Sequence, residues 1–307
     1  MNNLLRSVLV LLTIAITASA QENQVSFTIH GRIGDVPFVI NSMYRTLADD
    51  LYLKPTSLRY YLSKISITHD GGKVTPIPSL YILVDHSEPT SYQLGTLPIT
   101  RVESITFHIG VDSARNHLDP ATYPPYHPLS PQDPSMHWGW TSGYKFMAYN
   151  LLTGADTAAM KYVTEIHALG DANYHRITVD VPVDARNGKV SIDVIANLAE
   201  LLRGINVSKS LFEHSDEGPA KMMLENAAQR VFSAATTTSV SDAPFSEDAW
   251  REQGGMVSIY DMQGGLVRSY TDTMQPLFSG LRAGVYVVVR STVGRAPHHT
   301  LYLHDSE

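Results

Sequence analysis

The stretch Met136-His137-Trp138-Gly139-Trp140-Thr141-Ser142-Gly143-Tyr144-Lys145-Phe146 sits between a proline-rich approach and a run of strand-forming residues. Six prolines from Pro120 to Pro134 precede it; each fixes φ and removes a backbone donor, so the approach is neither helix nor central strand. A loop ordered in this way can hold side chains in place for binding. Two of the protein's three tryptophans stand here one residue apart, directly after a histidine. Each indole offers one N–H donor and a broad apolar face. The stretch therefore reads as a fixed aromatic loop that enters a strand at Gly143 to Tyr149.

Outward from this loop the chain reads as strands. Val25, Phe27 and Ile29 alternate with Ser26, Thr28 and His30, and Gly34-Asp35 turns the chain toward Val36 to Asn41. Leu58 to Thr68 leads into an Asp70-Gly71-Gly72 turn. Ser79 to Val84 and Val102 to Gly110 follow, with Ile105, Phe107 and Ile109 directed to the core and His108 opposite. Beyond the tryptophans come Tyr162 to Ala168, His175 to Val181 and Lys189 to Val194. Many short strands separated by turns predict an antiparallel β-sandwich. Two helical faces are expected after it: Val194, Ile195, Leu198, Leu201, Leu202 and Ile205, then Met223, Leu224, Ala227, Ala228, Val231 and Phe232. They would cap an open end of the sandwich.

The ends of the chain read differently. Arg6, an apolar run from Val8 to Ile16 and the small-residue site Ala18-Ser19-Ala20 form a secretory signal, too short for a membrane span. The expected product is exported, to the periplasm, the outer-membrane surface or the medium, and begins at Gln21. A Ser/Thr/Ala-rich linker starts at Ser233. Strands at Met256 to Tyr260, Leu266 to Tyr270, Gly284 to Arg290 and Thr300 to His304 predict a small Ig-like β unit. The expected organisation is a signal at 1–20, a sandwich at 21–232, a linker at 233–250 and a C-terminal module at 251–307.

Composition narrows the chemistry. The chain has no cysteine, which excludes disulfides and thiolate metal sites. A net charge of −7 with both signs mixed argues against a nucleic-acid partner. No Gly-x-Ser-x-Gly elbow, HExxH helix or phosphate loop is present, and nothing supplies an activated nucleophile, so no enzymatic activity is expected. A metal site would have to use imidazole, carboxylate, thioether or modified aromatic donors. Imidazole donors leave zinc, copper, iron and nickel open, with affinity favouring copper. His137 beside the tryptophans and His167 on Tyr162 to Ala168 are the leading candidates, brought together if the chain returns on itself between Phe146 and Val163. Glu165 shares the face of His167, and His127 in the proline-rich loop is a third candidate. Alternatively, the aromatics Trp138, Trp140, Tyr126 and Tyr144 form a stacking platform for a sugar or a partner protein in an adhesion or ligand-binding module, a reading that solvent-facing tryptophans would favour.

The run M-H-W-G-W-T-S-G-Y-K-F resembles the signature of the MbnP-like copper-binding proteins. Leu58-Arg59-Tyr60-Tyr61-Leu62-Ser63-Lys64-Ile65, Tyr81-Ile82-Leu83-Val84-Asp85, Phe107-His108-Ile109-Gly110-Val111-Asp112 and Glu165-Ile166-His167-Ala168-Leu169-Gly170 fall in the order of that family. The resemblance spans roughly residues 25 to 232 and implies a copper site. It also implies that one tryptophan, Trp138 or Trp140, is oxidised to kynurenine by a partner resembling the dihaem cytochrome c peroxidases. Val257-Ser258-Ile259-Tyr260-Asp261-Met262-Gln263-Gly264 and Leu281-Arg282-Ala283-Gly284-Val285-Tyr286-Val287-Val288 resemble the sorting domain of the Bacteroidetes type IX secretion system, and imply its machinery as a partner. This module lacks the Pro-Asn-Pro opening and the basic tail common in that family.

Overall fold

The computed structural model describes residues 22–45, 51–235, 256–260, 266–270, 284–291 and 298–304. The signal segment and most of the expected linker lie outside the described residues. In chain order the strands of the main part are β1 (Asn23–Ile33), β2 (Val36–Pro37), β3 (Tyr44–Arg45), β4 (Tyr52–His69), β5 (Lys73–Pro76), β6 (Ile82–Asp85) and β7 (Ser91–Leu97). They continue with β8 (Arg101–Ile109), β9 (Met147–Gly154), β10 (Tyr162–Ala168), β11 (His175–Asp184), β12 (Lys189–Asn197), β13 (Leu211–Ser215) and β14 (Phe232–Ala234).

One sheet runs β14-β12-β1-β2, with β7 also paired to β1; the other runs β11-β8-β4-β9-β10-β13, with β3, β5 and β6 on β4. Alternation explains the burial of β1: Val25, Phe27 and Ile29 are buried while Gln24 faces solvent, as the two-residue period of a strand requires. Phe27 of one sheet meets Phe107 of the other at 5.8 Å, and Phe107 meets Phe232 at 5.2 Å. These contacts lie in the apolar layer between two facing sheets. The long β4 bends at register shifts near Pro55, Ser63 and Thr68, which lets one strand serve five neighbours.

Several expectations change. The sandwich is mixed, because β1 pairs with β12 and β10 with β13 in parallel; long connections between these strands permit that arrangement. The expected helix from Val194 is strand to Asn197, followed by a 3₁₀ turn at Leu198–Leu202. Buried Val194 and Ala196 follow the strand period of two, whereas Val194 and Leu198, four apart, also fit a helical face. The later apolar face does form a helix, α2 (Gly218–Asn226), with a wide turn over Ala227–Val231 before Phe232 enters β14. A single helical turn, α1 (Ser113–Asn116), precedes the proline-rich loop. The C-terminal part contains a four-stranded antiparallel sheet of Met256–Tyr260, Leu266–Tyr270, Gly284–Ser291 and His298–His304. One sheet, rather than the two of an Ig-like sandwich, is seen among its described residues. Among the described residues no helix is long and apolar enough to cross a membrane.

Candidate metal centre

The tryptophan stretch forms a small hairpin. Trp138 N–H donates to Gly143 O at 2.9 Å, Lys145 N–H to Met136 O at 2.9 Å, and Gly143 N–H to Gly139 O at 2.8 Å. Gly139 and Gly143 take positive φ, 84° and 72°, which glycine adopts without steric cost. Asn116, fully buried, accepts Tyr144 N–H at 2.8 Å and donates to Asp171 Oδ1 at 2.8 Å, tying the hairpin to its neighbours. His117 Nδ1–H donates to Trp140 O at 2.6 Å. In such a hairpin successive side chains leave by opposite faces. Trp138 and Lys145 share one face, where the Lys145 ammonium lies 5.0 Å from the Trp138 ring centre. His137 and Tyr144 share the other, with rings 4.7 Å apart.

The face carrying Trp138 lies over the outer side of the larger sheet. Pairing aligns Arg59, Ala148, His167 and His214 in one row across β4, β9, β10 and β13, and Asn150, Glu165 and Phe212 in the next. The parallel register of β10 and β13 sets His167 against His214 with rings stacked 4.3 Å apart and nearly parallel, at 7°. Glu165 Oε1 lies 2.8 Å from His214 Nε2 and 3.4 Å from His167 Nε2. One donor atom from each of Glu165, His167 and His214 falls within 4.8 Å of the others. Trp138 packs edge-on against both imidazoles, at 5.4 and 4.6 Å.

His167 is 8% exposed, and its Nδ1 is buried with no hydrogen-bond partner. Burial, then the charges of Lys145, His214 and Arg59, hold the His167 imidazole down to about 3. It is therefore neutral at physiological pH, with one ring-nitrogen lone pair available to an ion. Two imidazoles and one carboxylate, without thiolate, suit copper or zinc better than calcium or magnesium, which prefer all-oxygen shells.

The site residues expected from sequence separate. His167 enters the cluster together with Glu165. His137 does not join it: its ring is on the Tyr144 side of the hairpin, its Nδ1 accepts Gly139 N–H at 3.1 Å, and it lines a small cavity of about 170 Å³ with Tyr61, Met136 and Asp119. The hairpin geometry above is the reason. His127 is elsewhere again, stacked on Tyr123 at 4.6 Å, with Nδ1 accepting Leu129 N–H at 3.1 Å. Trp138 is half-buried at the cluster, whereas Trp140 is 73% exposed. His214, the second imidazole, escaped the sequence reading. It lies in the five-residue strand Leu211–Ser215, whose parallel partner is far away in the chain and leaves no local signal.

A β-sandwich with a partly buried His/carboxylate cluster under one indole carries a candidate metal centre, in which His167 is buried and His214 exposed. A profile of the MbnP family matches residues 22–223, and the chain belongs to that family. Membership places it among binding proteins rather than enzymes. Among solved structures it is similar to MbnP from Methylosinus trichosporium, at 16% identity and a TM-score of 0.43, over 64% of this chain and 81% of that one. No curated protein matches. Family and cluster together support a general metal-binding role.

Proposed function

We propose that the chain is an exported copper-binding protein whose ion is held by His167 and His214, with Glu165 as a third donor or as the group that orients them. The observation that carries this reading is the convergence of three donor atoms within 4.8 Å, two of them imidazole nitrogens. Copper is preferred among divalent ions by such donors. In the same reading Trp138, not Trp140, is the tryptophan converted to kynurenine by a dihaem peroxidase-type partner, because Trp138 packs on both imidazoles. Conversion opens the indole ring, with loss of one carbon and gain of one oxygen, and leaves an aromatic amine as a further nitrogen donor; the partner supplies the oxidising equivalents. Carriage of the C-terminal sheet by type IX machinery remains part of the proposal.

The test is copper stoichiometry together with peptide mass, on the mature chain purified from cells that also make the partner. One equivalent of copper, lost in His167→Ala and in His214→Ala, and a modified peptide containing Trp138 are expected. Copper retained in both variants would sink the site; modification found on Trp140 would sink the assignment to Trp138. The alternative, an aromatic platform for a sugar or protein, draws on the exposure of Trp140 and Tyr126, but Tyr144 is buried and Trp138 half-buried. It gains ground if copper does not bind and saccharide does.

A further inference from the structure

Two cations stand beside the imidazole pair without a carboxylate of their own. Lys145 is 7% exposed and Arg59 6%. The Lys145 ammonium rests over the Trp138 ring, and among the described residues no carboxylate pairs with it. Arg59 donates one guanidinium N–H to Pro134 O, a neutral acceptor. Glu165, the carboxylate that acts on Lys145, is already engaged by His214 and His167. Both cations act on His167, and Arg59 acts on Lys145. One carboxylate thus faces two buried positive charges.

The packing between them is slight. Arg59 and His167 flank Ala148 in the same cross-strand row, so a single methyl group separates a guanidinium from an imidazole on that face. Neighbouring strands lie about 4.8 Å apart, which sets Arg59 and His167 about 10 Å apart at their Cα atoms. A buried charge without a counterion is costly, and a hydrogen-bonded partner of opposite sign relieves that cost.

We propose that Lys145 and Arg59 form a binding site for a small monovalent oxyanion of the carboxylate class, adjoining the metal centre, so that metal and anion bind together. The inference rests on the metal reading above and deepens it. The anion neutralises the excess positive charge that otherwise repels an incoming cation. The coupling is reciprocal: the anion tightens the metal, and the metal tightens the anion by the same factor. A neutral chelating ligand gives no such pairing.

The probe is formate, with ionic strength held constant by a bulky sulfonate. Copper affinity is measured by chelator competition with and without formate, and formate binding to the metal-free chain is followed by the NMR signal of labelled formate. Saturating formate tightens copper about tenfold in the wild type, within the usual range of coupling between sites. Lys145→Met abolishes that gain and the formate signal; Lys145→Gln, which keeps a hydrogen-bond donor but no charge, retains less than half of it. Thermal melts of both variants establish that they fold. If Lys145→Met simply raises copper affinity and formate leaves the wild type unchanged, the cations only weaken the site and the proposal is overturned. Copper bound equally with and without formate overturns the anion site and leaves the metal centre standing. Formate bound with no copper retained does the reverse, and neither bound overturns both.

Discussion

Replacing Gly110 with alanine tests how the fold supports the centre. Gly110 follows β8 with φ of 105°, a region that costs a non-glycine residue about 1–3 kcal/mol. An added Cβ would lie 2.5 Å from Phe146 Cγ and 2.8 Å from Phe146 Cε2. The ring is fully buried and meets Tyr174 at 6.1 Å, so it has to push its neighbours aside, at about 1–3 kcal/mol for overpacking. The combined loss is about 4 kcal/mol, taking the middle of both ranges. For a domain of this size that lowers Tm by roughly 10 °C. The damage reaches the site, because Phe146 N–H donates to Ala168 O at 2.7 Å, next to His167, and Phe146 O accepts Tyr61 N–H at 3.0 Å. Copper affinity therefore falls along with stability, even though Gly110 touches none of the donors. Thermal melts and chelator competition on the purified variant read both effects. A drop in Tm of less than about 2 °C, on the same conversion, would refute the packing argument.

Three further outcomes follow from the structure. Asn116→Ala removes the acceptor of Tyr144 N–H and the donor to the exposed Asp171; leaving the buried Tyr144 N–H unsatisfied costs about 1–3 kcal/mol, read by denaturant unfolding, and a loss under about 0.5 kcal/mol would contradict the anchoring role. Burial holds the His86 imidazole down from 6.5 to about 4. The unfolded chain takes up a proton that the folded chain refuses, so stability is flat above the upper value and falls between the two as pH drops. Up to about 3 kcal/mol is lost in that window, and His86→Leu removes this part of the slope; an unchanged slope would count against it. Finally, Trp138→Phe alters copper affinity while Trp140→Phe leaves it within about twofold, the scatter typical of exposed substitutions, as chelator competition will show.

Alternation carried much of the fold. Val25, Phe27 and Ile29, or Ile105, Phe107 and Ile109, declare their strands because one face is buried and the period is two. The return of the chain after the tryptophans was legible too, since Tyr162 to Ala168 pairs with β9 as a neighbour in sequence. What resisted reading was long-range. Parallel pairing of β1 with β12 and of β10 with β13 leaves no turn to mark it, and the second of these pairs brings in His214. A run such as Val194 to Ile205 satisfies both periods, so its strand is decided by the neighbouring sheet rather than by its own residues. His137 and His167 illustrate the same limit at the site. Proximity in a motif suggested a shared ion, but the hairpin at Gly139 and Gly143 sends His137 to one side and Trp138 to the other.

X-ray absorption at the copper edge, on the mature chain loaded with one equivalent, addresses the centre most directly by counting imidazoles around the ion. His167 and His214 together predict two in the wild type and two in His137→Ala, with no copper held by His214→Ala. A spectrum that loses an imidazole in His137→Ala, or keeps both in His214→Ala, would place the ion elsewhere.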